Sequence, residues 1–256
     1  MIKRILAIIL VLVLIAPMSS FAAAKKKKVS YVNLTYETDD NFVIKSKLYY
    51  PNQKASVYPV VVFLHSIGYS SDYWGNITQD FLKSGVAVLA VDLRGHGQSV
   101  YDSDFRIRSW RYYSNSQFAK YPKDITDILK YLASNYKDIS TTKYAIIGAD
   151  IGANTAVLAS EKMVNKPKAL VLMSPTSTFK GLYIPISMTN LGKIPIMAIV
   201  SNRDIYSKKE ATTLKKFAQA EYNLKIYPVG GMGMLMLKAN PSMSKDILNW
   251  VLPKIK

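Results

Sequence analysis

The stretch Tyr144-Ala145-Ile146-Ile147-Gly148-Ala149-Asp150-Ile151-Gly152-Ala153-Asn154 constrains this chain more than any other. A short apolar run ends in Gly-x-Asp-x-Gly, and a helix-like segment of small residues follows at once. This pattern predicts a sharp strand-to-helix elbow that holds one side chain, Asp150, at its apex. Glycine is needed on both sides because such a turn presses backbone against neighbouring strands and leaves no room for a Cβ.

An elbow of this kind needs a sheet around it, and the rest of the chain supplies one. Val29–Thr38 and Phe42–Tyr50 alternate in the manner of strands and predict an antiparallel hairpin. Pro59–Leu64, Val86–Val91, Ala169–Met173 and Pro195–Val200 are continuous apolar runs, as expected of strands buried on both faces. Helices are predicted at about Tyr73–Lys83, from Pro122 onward, at Ile151–Met163, at Lys208–Ala220 and near Met243–Ile255. The helix from Pro122 carries Ile125, Ile128, Leu129 and Leu132 in one stripe. A last strand is expected at Leu224–Val229, and an irregular aromatic and basic loop at Tyr101–Phe118. Buried strands alternating with helices imply an α/β fold: a mostly parallel sheet covered on both faces.

Length allows a single domain of this type once the first 24 of the 256 residues are set aside. Lys3 and Arg4, the apolar run Ile5–Ala16 and the Ala22-Ala23-Ala24 site predict a secretory signal peptide, leaving 25–256 as one domain and a secreted or cell-envelope protein. The run is shorter than the roughly 20 residues of a membrane span; an uncleaved membrane anchor stays open as the alternative. With no cysteine, disulfides, a thiol nucleophile and thiolate metal sites are excluded, and two histidines, His65 and His96, are too few for a histidine-rich metal site. No metal and no cofactor are expected. The net charge of +17, or +15 without Lys3 and Arg4, admits attraction to anionic envelope polymers or membranes. The lysines are scattered rather than striped with aromatics, so specific nucleic-acid binding is not expected.

Four punctuation points now stand in one order: His65-Ser66-Ile67-Gly68, Asp92-Leu93-Arg94-Gly95-His96-Gly97-Gln98-Ser99, Gly148-Ala149-Asp150-Ile151-Gly152, and the Asp204 turn. Taken with the order of strands and helices, the chain resembles the α/β-hydrolase superfamily, nearest to lidless esterases, dienelactone hydrolases and prolyl-oligopeptidase-type domains. The resemblance covers nearly the whole chain from Val29 on and implies that fold without a large cap domain. It also implies roles. Asp150 holds the nucleophile position, usually serine; Ile151 and Ile67 supply the oxyanion N–H groups; Asp204 holds the position of the acid, against the plainer reading of a helix-cap aspartate. The histidine position, in the turn after the last strand, falls on Met232, which cannot move a proton.

Asp150 resembles the nucleophile of dehalogenases and epoxide hydrolases, yet such an enzyme needs a histidine to hydrolyse its ester intermediate, and a cap. The pattern therefore predicts a degenerate, non-catalytic homologue of serine esterases and peptidases, with Asp150 as a fixed anion stabilised by a helix N-terminus and occupying the oxyanion hole. A pocket for a small-molecule or peptide-like ligand is the expected remnant. Two rivals stay open: an atypical hydrolase acting on an ester, lactone or peptide-like substrate through Asp150, and a basic surface protein that binds anionic polymers. Oligomeric state is not legible.

Overall fold

The computed structural model describes residues 31–256. The predicted leader and Lys25–Lys28 lie outside those residues. Ten strands and eight α-helices follow in order. The first half runs β1 (Tyr31–Glu37), β2 (Val43–Tyr49), β3 (Tyr58–Leu64), α1 (Asn76–Lys83), β4 (Ala87–Val91), α2 (Asn115–Phe118), α3 (Tyr121–Asn135), β5 (Ile139–Ala149) and α4 (Ile151–Lys162). The second half adds β6 (Ala169–Met173), β7 (Thr178–Phe179), β8 (Leu182–Tyr183), α5 (Pro185–Asn190), β9 (Ile196–Ser201), α6 (Ile205–Leu214), β10 (Tyr222–Tyr227), α7 (Leu235–Ala239) and α8 (Met243–Ile255).

Eight strands form one sheet in the order β1-β2-β4-β3-β5-β6-β9-β10. β1 pairs antiparallel with β2 and β2 antiparallel with β4; every pairing from β4 to β10 is parallel. The N-terminal hairpin and the parallel sheet are thus as expected. All five residues of β4 and of β6 are buried, which explains their continuous apolar runs. On one face Val60, Val62, Leu64, Leu89 and Ile146 pack with Ile125, Ile128 and Leu132 of α3 and Ala153 and Val157 of α4. On the other, Val61, Phe63, Val88 and Ile147 pack with Ile77 and Phe81 of α1 and Ile247 and Val251 of α8. Each of these side chains larger than alanine contributes roughly 1.5–3 kcal/mol by leaving water.

The differences from expectation have local causes. The helix expected at Tyr73–Lys83 is split: Ser71–Trp74 is a 3-10 turn, and Gly75, at φ 57°, breaks the chain before α1. α6 begins at Ile205 rather than Lys208 because Asp204 caps it, its carboxylate accepting from the Ser207 N–H at 3.1 Å. β10 is shifted two residues earlier, in register with β9 from Tyr222↔Ile196 to Tyr227↔Ser201. The connection after β6 holds only the β7–β8 hairpin and α5, so no cap covers the sheet. The 101–118 stretch is not wholly irregular, since it carries a bridge between Tyr101 and Ile107, a 3-10 turn at Trp110–Tyr112 and α2. Among the described residues no helix is long and apolar enough to cross a membrane.

Candidate active site

The parallel strands all end on one edge, and β5 delivers Asp150 to it. Asp150 sits at φ 56°, ψ −115°, left-handed backbone that a non-glycine residue adopts only under constraint. The constraint is visible: its N–H donates to the Met173 carbonyl at 2.8 Å, and its carbonyl accepts from Ala153 as α4 starts. The two glycines are where close approach demands them. A Cβ on Gly148 would lie 2.2 Å from the Gly152 oxygen, and one on Gly152 2.1 Å from the Leu64 oxygen.

The Asp150 side chain is held against the loop after β3. One carboxylate oxygen accepts from the Ile67 N–H at 3.3 Å, and the residue is only 3% exposed. Burial dominates its electrostatics and pushes its pKa up to about 7; the N–H groups of Ile67 and Ile151 and the Lys180 charge pull the other way, and the Asp204 charge adds to the rise. The N–H groups favour the anion, as expected of the one at the helix start, and the loss of water opposes them.

The turn after β10 comes up against the same residue. A Cβ on Gly233 would come 3.2 Å from the Asp150 Cβ and 2.2 Å from the Ser66 hydroxyl oxygen. Two hydroxyls pin this turn: Ser174 Oγ accepts from the Gly233 N–H at 2.9 Å and Ser66 Oγ from the Met234 N–H at 3.1 Å. Gly233 is thus the residue brought against Asp150, while its neighbour Met232 is 39% exposed. Asp204, at the end of β9, uses Oδ1 to cap α6; its buried Oδ2 has no hydrogen-bond partner in the protein. Nothing in the sequence marked Ser66 or Ser174 as members of the site. Ser66 lies in a motif notable only for its backbone, and Ser174 merely follows a strand; its left-handed φ of 52° is visible only in three dimensions.

Both histidines are buried, and His96 Nε2 has no hydrogen-bond partner in the protein. The Leu93 N–H donates to His65 Nε2 at 2.9 Å, which assigns the proton to Nδ1, and Nδ1 donates to the Ser66 carbonyl at 2.8 Å. Burial lowers the His65 pKa to about 4. His96 stacks on Trp110 with ring centres 5.2 Å apart and planes 4° from parallel, and burial, with the nearby His65, lowers its pKa to about 3. Trp110 also lies against Gly68, so the aromatic loop leans on the segment that carries the Ile67 N–H. Among the described residues no three His, Asp or Glu side chains converge as a metal cage.

Strand order, elbow and flanking loops define an α/β-hydrolase. Residues 55–228 match the Hydrolase_4 family, serine aminopeptidase S33, and the chain belongs to that family. Solved structures agree on the fold at low identity. A dienelactone hydrolase of Anabaena variabilis superposes with a TM-score of 0.71 at 16% identity, over 89% of this chain and 99% of that one. An esterase of Pyrococcus furiosus gives 0.68 at 19%, over 89% and 93%. An acetyl xylan esterase of Paenibacillus sp. R4 gives 0.69 at 14%, over 91% and 86%. No curated protein matches the chain.

Proposed function

We propose that this protein is a secreted member of the α/β-hydrolase superfamily that no longer hydrolyses esters or peptides and keeps the scaffold for binding. The observation that carries this reading is the bond from the Ile67 N–H to the Asp150 carboxylate. By resemblance that N–H belongs to the oxyanion hole, so a side chain of the protein stands where the charge of a tetrahedral intermediate would develop. Two further features support it. The turn that would carry the base offers Met232, which has no proton to move, and the free oxygen of Asp204 has no imidazole to orient. An aspartate-nucleophile mechanism is less well supported, because it requires a reachable carboxylate and a base to hydrolyse the ester intermediate, and Asp150 is buried while position 232 is a methionine. The binding surface we assign is the groove of about 550 Å³ beside the Gly233 turn, lined by Tyr69, Tyr73, Trp74, Met234, Leu235 and Lys238 and not by Asp150, Ile67 or Asp204; its apolar walls and single cation suit a small amphipathic or peptide-like ligand.

Purified protein is expected to turn over short p-nitrophenyl esters no faster than a heat-killed control. Turnover that disappears in Asp150→Ala would sink the proposal. Asp150→Ser combined with Met232→His is expected to restore measurable esterase activity where neither single change does. The histidine must go at 232, because a side chain at 233 would collide with Ser66. A folded but inert double variant would mean that Met232 does not hold the histidine position or Asp204 does not hold that of the acid.

A further inference from the structure

Beyond β4 the chain forms a small hairpin that serves neither the core nor the elbow. It is stitched to the β1–β2 turn: the Val43 N–H donates to the Tyr101 carbonyl at 3.1 Å, and the Ser103 N–H to the Asn41 carbonyl at 2.8 Å. Inside it one Asp102 oxygen accepts from the N–H groups of Asp104 and Arg106, at 3.1 and 2.8 Å, and the other accepts from Arg108 Nε at 3.0 Å. This carboxylate fastens Phe105 in left-handed backbone, φ 59°, a conformation that bulky side chains avoid. What the constrained turn achieves is exposure. Phe105 is 85% exposed, Ile107 71% and, just beyond, Tyr112 87%. Three arginines are interleaved with them. Arg106 and Arg108 pair with Asp104 and Asp102, while Arg111 lies over the Trp110 ring at 5.2 Å. Tyr183, Ile205 and Tyr206, after β6 and β9, are exposed on segments that leave the same edge of the sheet.

We propose that this hairpin is an interfacial anchor that seats the elbow-bearing edge on an anionic lipid bilayer. Phe105, Ile107 and Tyr112 enter the boundary between headgroups and acyl chains, and Arg111, the one of the three arginines without a carboxylate partner among the described residues, meets the lipid phosphates. The mixture of aromatic, aliphatic and guanidinium groups on a rigid projecting tip suits that boundary, which offers both apolar and anionic partners. Charge decides between occupants. Without Lys3 and Arg4 the chain carries a net charge of +15, which draws it to an anionic surface and repels a second copy of itself. The inference stands on the hairpin alone and holds whether or not Asp150 supports turnover.

The test uses the chain from Lys25, which contains the whole described fold, with vesicles of phosphatidylglycerol and phosphatidylcholine in equal parts. The protein is expected to co-sediment with these vesicles, less with phosphatidylcholine alone, and less as salt rises. Phe105→Trp is expected to emit further to the blue on the vesicles and to be quenched by brominated acyl chains. The pair Phe105→Ser and Ile107→Ser, shown by circular dichroism to be folded, is expected to bind on the order of tenfold more weakly or worse. Undiminished binding by that pair would assign the attraction to Lys25–Lys28 or to diffuse charge and overturn the proposal. So would an unquenched tryptophan at 105, absence of binding, or a dimer in light scattering that the same pair abolishes.

Discussion

At the scale of single residues, Asp150 and the two histidines pull the pH dependence of stability in opposite directions. The Asp150 carboxyl goes from an ordinary 3.8 to about 7 on folding, so between those values the folded state holds its proton more tightly than the unfolded chain does. Its contribution is favourable below 3.8 and is lost as the pH rises through 7. His65 and His96 have folded values of about 4 and about 3, below the ordinary 6.5, so theirs is present above 6.5 and lost as the pH falls. Asp150→Asn isolates the first effect, because an amide can still accept from Ile67 but carries no charge. The variant is expected to gain on the parent from pH 5 to pH 8, by on the order of a few kcal/mol. Thermal melts at the two pH values measure this, and an unchanged gap would mean that the carboxyl is not held near neutrality. Asp150, Met232 and Asp204 can be singled out from sequence because each sits in a motif. The roles of Ser66, although it sits in one of the four motifs, and of Ser174 cannot, since hydroxyls that pin a turn from 168 and 59 residues away leave no local pattern.

At the scale of elements, the elbow depends on two places where backbone meets backbone. Gly152→Ala would force a Cβ against the Leu64 oxygen, which cannot swing aside as a side chain could; a loss of roughly 3 kcal/mol or more is expected. Gly85→Ala is the control. It needs left-handed backbone, at φ 76°, which helical Gly152 does not, but it has open space around it, and should lose only about 1 kcal/mol. Denaturant titrations that give equal losses would refute the close-approach account. Long elements are legible because burial on both faces, or one apolar stripe, writes itself into the residue pattern, as in β4 and α3. Short ones are not. The β7–β8 hairpin turns at Lys180-Gly181, but two-residue strands have no periodicity to make that glycine stand out. The start of α6 is hidden for another reason: Asp204 in sequence fits a catalytic acid as well as a cap, and its side chain is in fact the cap.

At the scale of the molecule, Arg94 ties three distant segments together. Its guanidinium donates to Asp124 of α3 at 2.8 and 2.7 Å, to Asp40 of the β1–β2 turn at 2.8 and 2.9 Å, and to Thr38 at 3.3 Å. Both Arg94 and Asp124 are buried. Arg94→Met leaves the Asp124 carboxylate without its partner and is expected to cost about 3–5 kcal/mol; adding Asp124→Leu should recover a good part of that. If the double variant proves no more stable than the single one by urea unfolding, the pair is not what joins the hairpin to the helical layer. The fold as a whole is readable from the four motifs and the strand order, but this junction is not, because nothing local relates residues 40, 94 and 124.

The bond between Asp150 and Ile67 joins positions 83 residues apart. It is therefore a contact that only the folded chain can make, and its acid is tethered. A free carboxylic acid in the surroundings, such as the product of another enzyme's ester cleavage, would have to compete for the same N–H against a group that never diffuses away. Wherever this protein works, it should be deaf to the acids that hydrolases around it release.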